Sequence, residues 1–195
     1  MTYPDLDTVE EISDAVIATR EGVPIKTIEE AITLASIVER ETGRNDRHAD
    51  IASVFVNRLR RGMPLQSDPT ILYGLAGGQV VWGKPILKSE IQSRTAHNTY
   101  VIKGLPPTPI CNPGRTALQA VLNPSITNNL YFVASGNGAS IFSATLEEHN
   151  VAVASWRKIE QAIRAKQAET AQARENEASA SGDRRRPQRK IARRS

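Results

Sequence analysis

Apolar side chains fall at two different periods along this chain. Val9, Ile12, Val16 and Ile17 recur at helical spacing with Asp7 placed to cap, which predicts a helix over about 7–20 before Gly22 and Pro24 interrupt it. "TIEE" then offers Thr27 and Glu30 as a capping box, and the apolar positions behind it run to about Thr42, with Gly43 as a C′ residue. A third helix is expected over roughly 46–61, striped by Ile51, Val54, Phe55 and Leu59. Arg58, Arg60 and Arg61 crowd its last turn, where the helix dipole favours cations, and Gly62 ends it.

Beyond Gly62 the pattern shortens. "PLQSDPTILYGL" (64–75) carries two prolines that argue for a loop before any helix restarts, and 76–85 is Gly-rich and expected to be exposed. "TYVIK" (99–103) alternates like a short strand, and the four prolines that follow make a stiff loop with little freedom to lose on folding. A short helix over about 115–122 stops before Pro124, and "NLYFVASGNGASIFSA" (129–144) reads as a hairpin around "SGNG". Residues 146–178 read as one long helix that turns polar after Ile163, and disorder is expected from about 179. The sum is an α+β domain, with no internal repeat.

Charge divides the chain unevenly. Residues 1–183 hold 18 Lys and Arg against 21 Asp and Glu, a net of −3, whereas "RRRPQRKIARRS" (184–195) adds seven positive charges and no negative one. The basic character therefore belongs to the tail. Such a tail binds polyanions in a salt-dependent way, or anionic lipid headgroups, but it has no aromatic for base stacking, so no specific nucleic-acid partner is expected. Cys111, the single cysteine, excludes an internal disulfide and reads as a small hydrophobe. His48, His97 and His149 lack metal-ligand spacing, so neither a metal nor a cofactor is expected. No apolar run reaches the roughly 18–20 residues of a membrane span, and "MTYPDLDTVEE" is acidic where a leader begins basic. As written, the chain reads as soluble.

The candidate chemistry sits in "ASIVERET" (35–42), where a helix built for a core ends in two glutamates. At about 100° per residue Glu39 and Glu41 point about 200° apart and cannot form a carboxylate pair on a regular helix. Glu41 has Ile37, Val38 and Leu34 on its side, while Glu39 has Ala35, Ser36 and Ile32. The more apolar surroundings favour Glu41 as the carboxyl whose pKa desolvation raises, as a general acid requires. Pattern alone leaves open that both are ordinary helix-end glutamates, one of them paired with an arginine.

"LASIVERETGR…ASVFVNRLRRGMPLQSDPTILYGL", "HNTYVIKGLPPTPICNPG" and "NLYFVASGNGASIFSATLEEHN" occur in an order and spacing that resemble the catalytic domain of the MltG (YceG-like) family of endolytic murein transglycosylases. The resemblance covers roughly residues 27–160. It marks 27–160 as the catalytic domain, and pattern and composition place a helical lead-in over 1–26, a helix extension over 161–178 and a disordered basic tail over 179–195 around it. It also implies cleavage of the MurNAc–GlcNAc β-1,4 bond of peptidoglycan glycan strands to 1,6-anhydro-MurNAc ends. The second glutamate of the family's I-x-E-x-E-T motif falls on Glu41. The family's usual membrane helix and LysM-like domain would place the active part at the periplasmic face of the bacterial inner membrane, with peptidoglycan synthases as partners. Set against that architecture the sequence starts inside it, and a fragment or a truncated form is expected. His97 stands where the family commonly has Tyr, Thr108 where it has Gly, and Ser140 where the hairpin often has His.

Gln66, Ser67 and Asp68 offer an amide, a hydroxyl and a carboxylate for sugar hydroxyls, although Ser and Asp before Pro also make good turn formers. Asn98, Thr99 and Tyr100 form a second substrate-binding candidate, with a capped strand end as the alternative. His149 and Asn150 read as bracing the last helix, and Trp82 and Trp156 as packing anchors. The competing functions are a hydrolase using Asp68 as second carboxylate, and a non-catalytic polyanion- or peptidoglycan-binding module.

Overall fold

The computed structural model describes residues 23–42, 45–77, 85–135 and 139–183. The expected lead-in helix over 7–20, Gly43, Trp82 and the tail 184–195 lie outside these residues, as do most of the Gly-rich segment and of "SGNG". The elements are helix α1 (Ile28–Glu41), a 3-10 turn (Asn45–Arg47), α2 (His48–Arg60), α3 (Asp68–Ala76), α4 (Lys88–Ile91), α5 (Arg115–Leu122), strands β1 (Tyr131–Ala134) and β2 (Ser140–Ser143), and α6 (Leu146–Asp183). Helices with one two-stranded hairpin make the α+β class expected from the pattern. The described residues form two compact units. One holds 23–132 and 142–149, the other 133–141 and 150–183.

In the first unit α1, α2 and α5 pack on one another. Leu34, Ile37 and Val38 of α1 meet Ile51, Phe55 and Val56 of α2 and Ala117, Leu118 and Val121 of α5 in one buried cluster. The cap of α1 is close to expectation: Thr27 Oγ1 accepts from Glu30 N at 3.3 Å. The glutamate, however, reaches back to Lys26 N (2.7 Å) rather than to Thr27. Polar side chains on α2 then read the carbonyls of the segment leading into β1. Asn57 Nδ2 donates to Thr127 O and Asn129 O, and Arg58 Nε to Leu130 O. The Pro-rich loop is fixed to α1 in the same way. Ile110 N donates to Ser36 Oγ (3.0 Å), Cys111 Sγ to Ser36 O (3.3 Å), and Gly114 N to Glu39 Oε2 (3.0 Å).

Two expectations are corrected here. "TYVIK" is no strand: Val101 N and Ile102 N both donate to Asn98 O, and Tyr100 N to Asn98 Oδ1, which winds the segment into a turn. Thr99 and Val101 would share one face of a strand, yet Thr99 is 0% exposed and Val101 46%. "SDPTILYG" is helical rather than loop, because Pro69 falls in the first turn, where its missing N–H has no helical acceptor to lose. Gly74 of this helix is required by packing, since a Cβ there would collide with Thr95 Oγ1.

In the second unit, Ser135 N donates to Ala139 O (2.9 Å) across the hairpin. Residues 150–183 continue α6, and Arg164 pairs with Glu160 at 2.7 Å. The helix extends to Asp183, past the 179 at which disorder was expected.

Candidate active site

Glu41 is the last residue of α1. Thr42 (φ −147°, ψ 142°) takes extended backbone, so the chain turns away and leaves the glutamate at the open end of a buried helix. The two glutamates part as their neighbours predict. The Glu39 carboxylate accepts from Gly114 N at the start of α5, a structural use that also suits the positive end of that helix. Glu41 is part-buried as a residue, but its carboxyl is desolvated, and this is the largest cause of a pKa raised from 4.5 to about 7. The Ser67 hydroxyl opposes the rise, the negative charge of Asp68 adds to it, and Arg58 opposes it.

Those three residues arrive from different elements. Ser67 precedes α3 in the N-cap position, yet its hydroxyl caps nothing. Thr70 N and Thr70 Oγ1 donate to Ser67 O instead, at 3.1 and 2.6 Å. Ser67 Oγ is therefore buried (1% exposed) with no hydrogen bond of good geometry within the protein, close enough to Glu41 to act on its carboxyl.

The backbone of this corner is held by Thr99. Gln66 N donates to Thr99 O (3.1 Å) and Ser67 N to Thr99 Oγ1 (2.9 Å), while Thr99 N donates to Thr70 Oγ1 (3.2 Å). Thr70 has spent its proton on Ser67 O, so Thr99 is the donor in the 2.8 Å bond between the two hydroxyls. Asn98 is also fully buried. Its Nδ2 donates to Ile91 O (3.0 Å) and Ser93 O (2.7 Å). The polar atoms of Asn98 and Thr99, read from sequence as sugar contacts, are thus engaged inside the fold. Tyr100 differs: its hydroxyl donates to the exposed Asp68 Oδ1 at 2.6 Å, and an open pocket of about 820 Å³ lies beside it, lined by Ile91, Arg94, Ala96, Val101 and Ile102 among others. Gln66 is exposed and adopts φ 53°, a left-handed conformation rare for a residue with a Cβ.

Arg58 and Tyr131 were not singled out by the sequence. Arg58 is 7% exposed, and its Cζ lies 5.2 Å from the centre of the Tyr131 ring. His149 stacks on Tyr131 at 5.0 Å, a bracing role in line with the expectation for this residue. Burial and the neighbouring Arg58 charge hold the His149 pKa below the ordinary value. Among the described residues no group of three His, Cys, Asp or Glu is placed to hold a metal ion.

This geometry, a protonatable glutamate at a helix end facing a rebuilt "QSDP" corner, coincides with a family pattern that matches residues 6–155. The chain belongs to the YceG-like family. It is 42% identical over 127 residues to the endolytic murein transglycosylase of Bacillus subtilis, covering 65% of this chain and 34% of that protein. It is 36% identical over 125 residues to the endolytic murein transglycosylase of Streptococcus pneumoniae, covering 63% and 22%. The crystal structure of a yceG-like protein from Listeria monocytogenes superposes with a TM-score of 0.58 at 41% identity, over 64% of this chain and 39% of the other. The chain thus spans about a third or less of the length of these curated relatives. No helix among the described residues is long and apolar enough to cross a membrane.

Proposed function

We propose that this YceG-like chain is a lytic transglycosylase domain that cleaves the MurNAc–GlcNAc β-1,4 bond of peptidoglycan glycan strands endolytically, with Glu41 as the single acid and base. The observation that carries the reading is the Glu41 carboxyl at the end of α1, raised by burial to about 7 beside the buried Ser67 hydroxyl. Near neutral pH such a group is present in both forms, which suits a residue that must give a proton and take one back.

Glu41 first protonates the glycosidic oxygen, and the C1–O bond breaks with positive charge developing on the MurNAc ring. The resulting Glu41 carboxylate then removes the proton of the C6 hydroxyl on the same sugar, and O6 closes on C1. The products are a GlcNAc hydroxyl and a 1,6-anhydro-MurNAc end, with no water consumed. The C6 hydroxyl needs no second carboxylate to activate it, because it is held on the reacting sugar at high effective concentration. We assign sugar contacts to Gln66, Asp68 and Tyr100, and the open pocket that Tyr100 lines has room for a saccharide unit. Asn98 and Thr99 act from beneath, by holding that corner in place. We place the work in processing or termination of glycan strands at the periplasmic face of the bacterial inner membrane, beside peptidoglycan synthases.

Digestion of purified glycan strands followed by mass spectrometry tests this. Fragments ending in 1,6-anhydro-MurNAc, lighter than the hydrolytic product by one water (about 18 Da), are expected, because no second carboxylate activates a water. Reducing-end MurNAc as the main product would make the chain a hydrolase and turn attention to Asp68. Intact strands after prolonged incubation would leave only a binding module.

A further inference from the structure

We propose that Arg58 is a positioning residue for this chemistry, a buried fixed cation that shapes the Ser67 corner and balances the charge left on Glu41 when its proton is transferred. The inference rests on the acid–base reading of Glu41 given above. Four hydrogen bonds define the guanidinium. Nε donates to Leu130 O at 2.6 Å. Nη1 faces Pro64 O (3.3 Å), Leu65 O (2.8 Å) and Gln66 Oε1 (3.3 Å). All four acceptors are uncharged. The group is hydrogen-bonded, as burial demands, while its positive charge is not cancelled by the atoms that hold it.

The location of those acceptors gives the cation its first task. Pro64, Leu65 and Gln66 are consecutive, and the next residue is Ser67. Gln66 is held in left-handed backbone from both sides, by Arg58 on its side chain and by Thr99 O on its N–H. A strained residue persists where its surroundings over-determine it, and here the strain sets the direction in which Ser67 leaves the corner.

Its second task is electrostatic. The groups that act on Glu41 are Ser67, Asp68 and Arg58, and Arg58 supplies the positive charge among them. Tyr100 and Tyr131 face the guanidinium as well, and His149 is within its field. Once Glu41 has given up its proton, two carboxylates stand in one partly dry site. The Asp68 charge is shared with the Tyr100 hydroxyl. That of Glu41 has the Ser67 hydroxyl and the Arg58 charge. A cation already in place at this point requires no rearrangement during the reaction. It also keeps desolvation from locking Glu41 in its protonated form, in which it could not serve as the base of the second half-reaction.

The test is direct titration of Glu41 by carbon-detected NMR in the full chain, alongside the pH dependence of glycan cleavage. Arg58→Met removes the charge, and Arg58→Gln removes it while keeping an amide donor for the corner carbonyls, which guards against loss of the fold. In either neutral variant Glu41 should titrate about one unit higher than in the unmodified chain. The rate at neutral pH should fall by about a hundredfold. Arg58→Lys should restore the titration to within a few tenths of a unit while kcat stays reduced, since one ammonium cannot make the bonds of the fork. A purely structural arginine would lower the rate and the melting temperature together and leave the titration alone. An unmoved Glu41 titration in a folded neutral variant overturns the proposal. The NMR measurement uses no glycan. Absence of 1,6-anhydro ends with a shifted titration would count against the proposed reaction and not against the role of Arg58 toward Glu41.

Discussion

Replacing Glu41 by glutamine should stop glycan cleavage and, above neutral pH, make the protein more stable. The reason is the carboxyl's raised pKa, about 7 in the folded chain against an ordinary 4.5. As pH rises through 4.5 the unfolded chain loses this proton first, while the folded chain keeps it. The folded state then binds more protons, so stability falls with rising pH until Glu41 ionises in both states, at about 7 and above. At about 1.4 kcal/mol for each tenfold difference in proton affinity, the full penalty is at most about 3.5 kcal/mol, and about 2 kcal/mol after discounting for the residue's partial exposure. The amide introduced by Glu41→Gln would carry no such penalty, and its shape is nearly the same. Urea unfolding of both proteins near pH 5 and near pH 8 measures the effect. The variant's advantage should be small at the lower pH and grow by about 1.5 kcal/mol at the higher one. Titrating groups that do not interact with Glu41 are common to both proteins and cancel in the difference. A gap that does not change with pH would refute the desolvated carboxyl, and with it the physical basis for Glu41 as the acid. Activity that survives the substitution would refute the assignment itself.

Glu39→Gln should retain glycan cleavage while losing about 1–2 kcal/mol in denaturant unfolding, because it weakens a charge-assisted bond to Gly114 N. Asp68→Asn removes a negative charge that raises the Glu41 pKa, so the limb of the pH–rate profile that reports Glu41 should move to lower pH, and an unmoved limb would disconnect the two carboxylates. The His97 Nε2 to Thr108 Oγ1 bond (2.8 Å) joins two of the positions that depart from the family wording. A double-mutant cycle with His97→Ala and Thr108→Ala should give a coupling of about 0.5–1 kcal/mol in unfolding free energy, and independence would show that the contact carries no weight.

Much of the helical framework could be read from local pattern because local energetics decide it. The Thr27 cap of α1, the apolar stripes of α1 and α2 and the short α5 need only their own residues, and these helices appear at nearly their expected bounds. The two misread segments share a cause. In "TYVIK" alternation suggested a strand, but no neighbouring strand is present to complete it among the described residues, and Asn98 offers two backbone-like acceptors that close a turn at once. In "SDPTIL" a proline argues for a loop when read alone, whereas in the first turn of a helix it costs nothing. A residue type states what it forbids only once its register in an element is known, and that register comes from tertiary contacts.

The site shows the same division. Glu41 was legible because its neighbours lie on its own helix, three and four residues back, and the structure engages Glu39 elsewhere. Gln66, Ser67 and Asp68 were legible as a polar cluster, though not the difference among them: one exposed and strained, one buried beside Glu41, one tied to Tyr100. Asn98 and Thr99 have the same side-chain chemistry whether they face a sugar or a buried carbonyl, and only the folded path through Ile91, Ser93 and Thr70 tells which. Arg58 was hidden by a sufficient local explanation. Three arginines at a helix C-terminus are what the dipole favours, and nothing nearby marks one of them as buried. The signal lies in acceptors supplied by residues 64–66 and by Leu130, the last of them 72 residues away. Three of those acceptors lie only six to eight residues on, but the chain must first turn at Gly62 and take left-handed backbone at Gln66 before their oxygens face the guanidinium, and neither step is written in the stripe of α2.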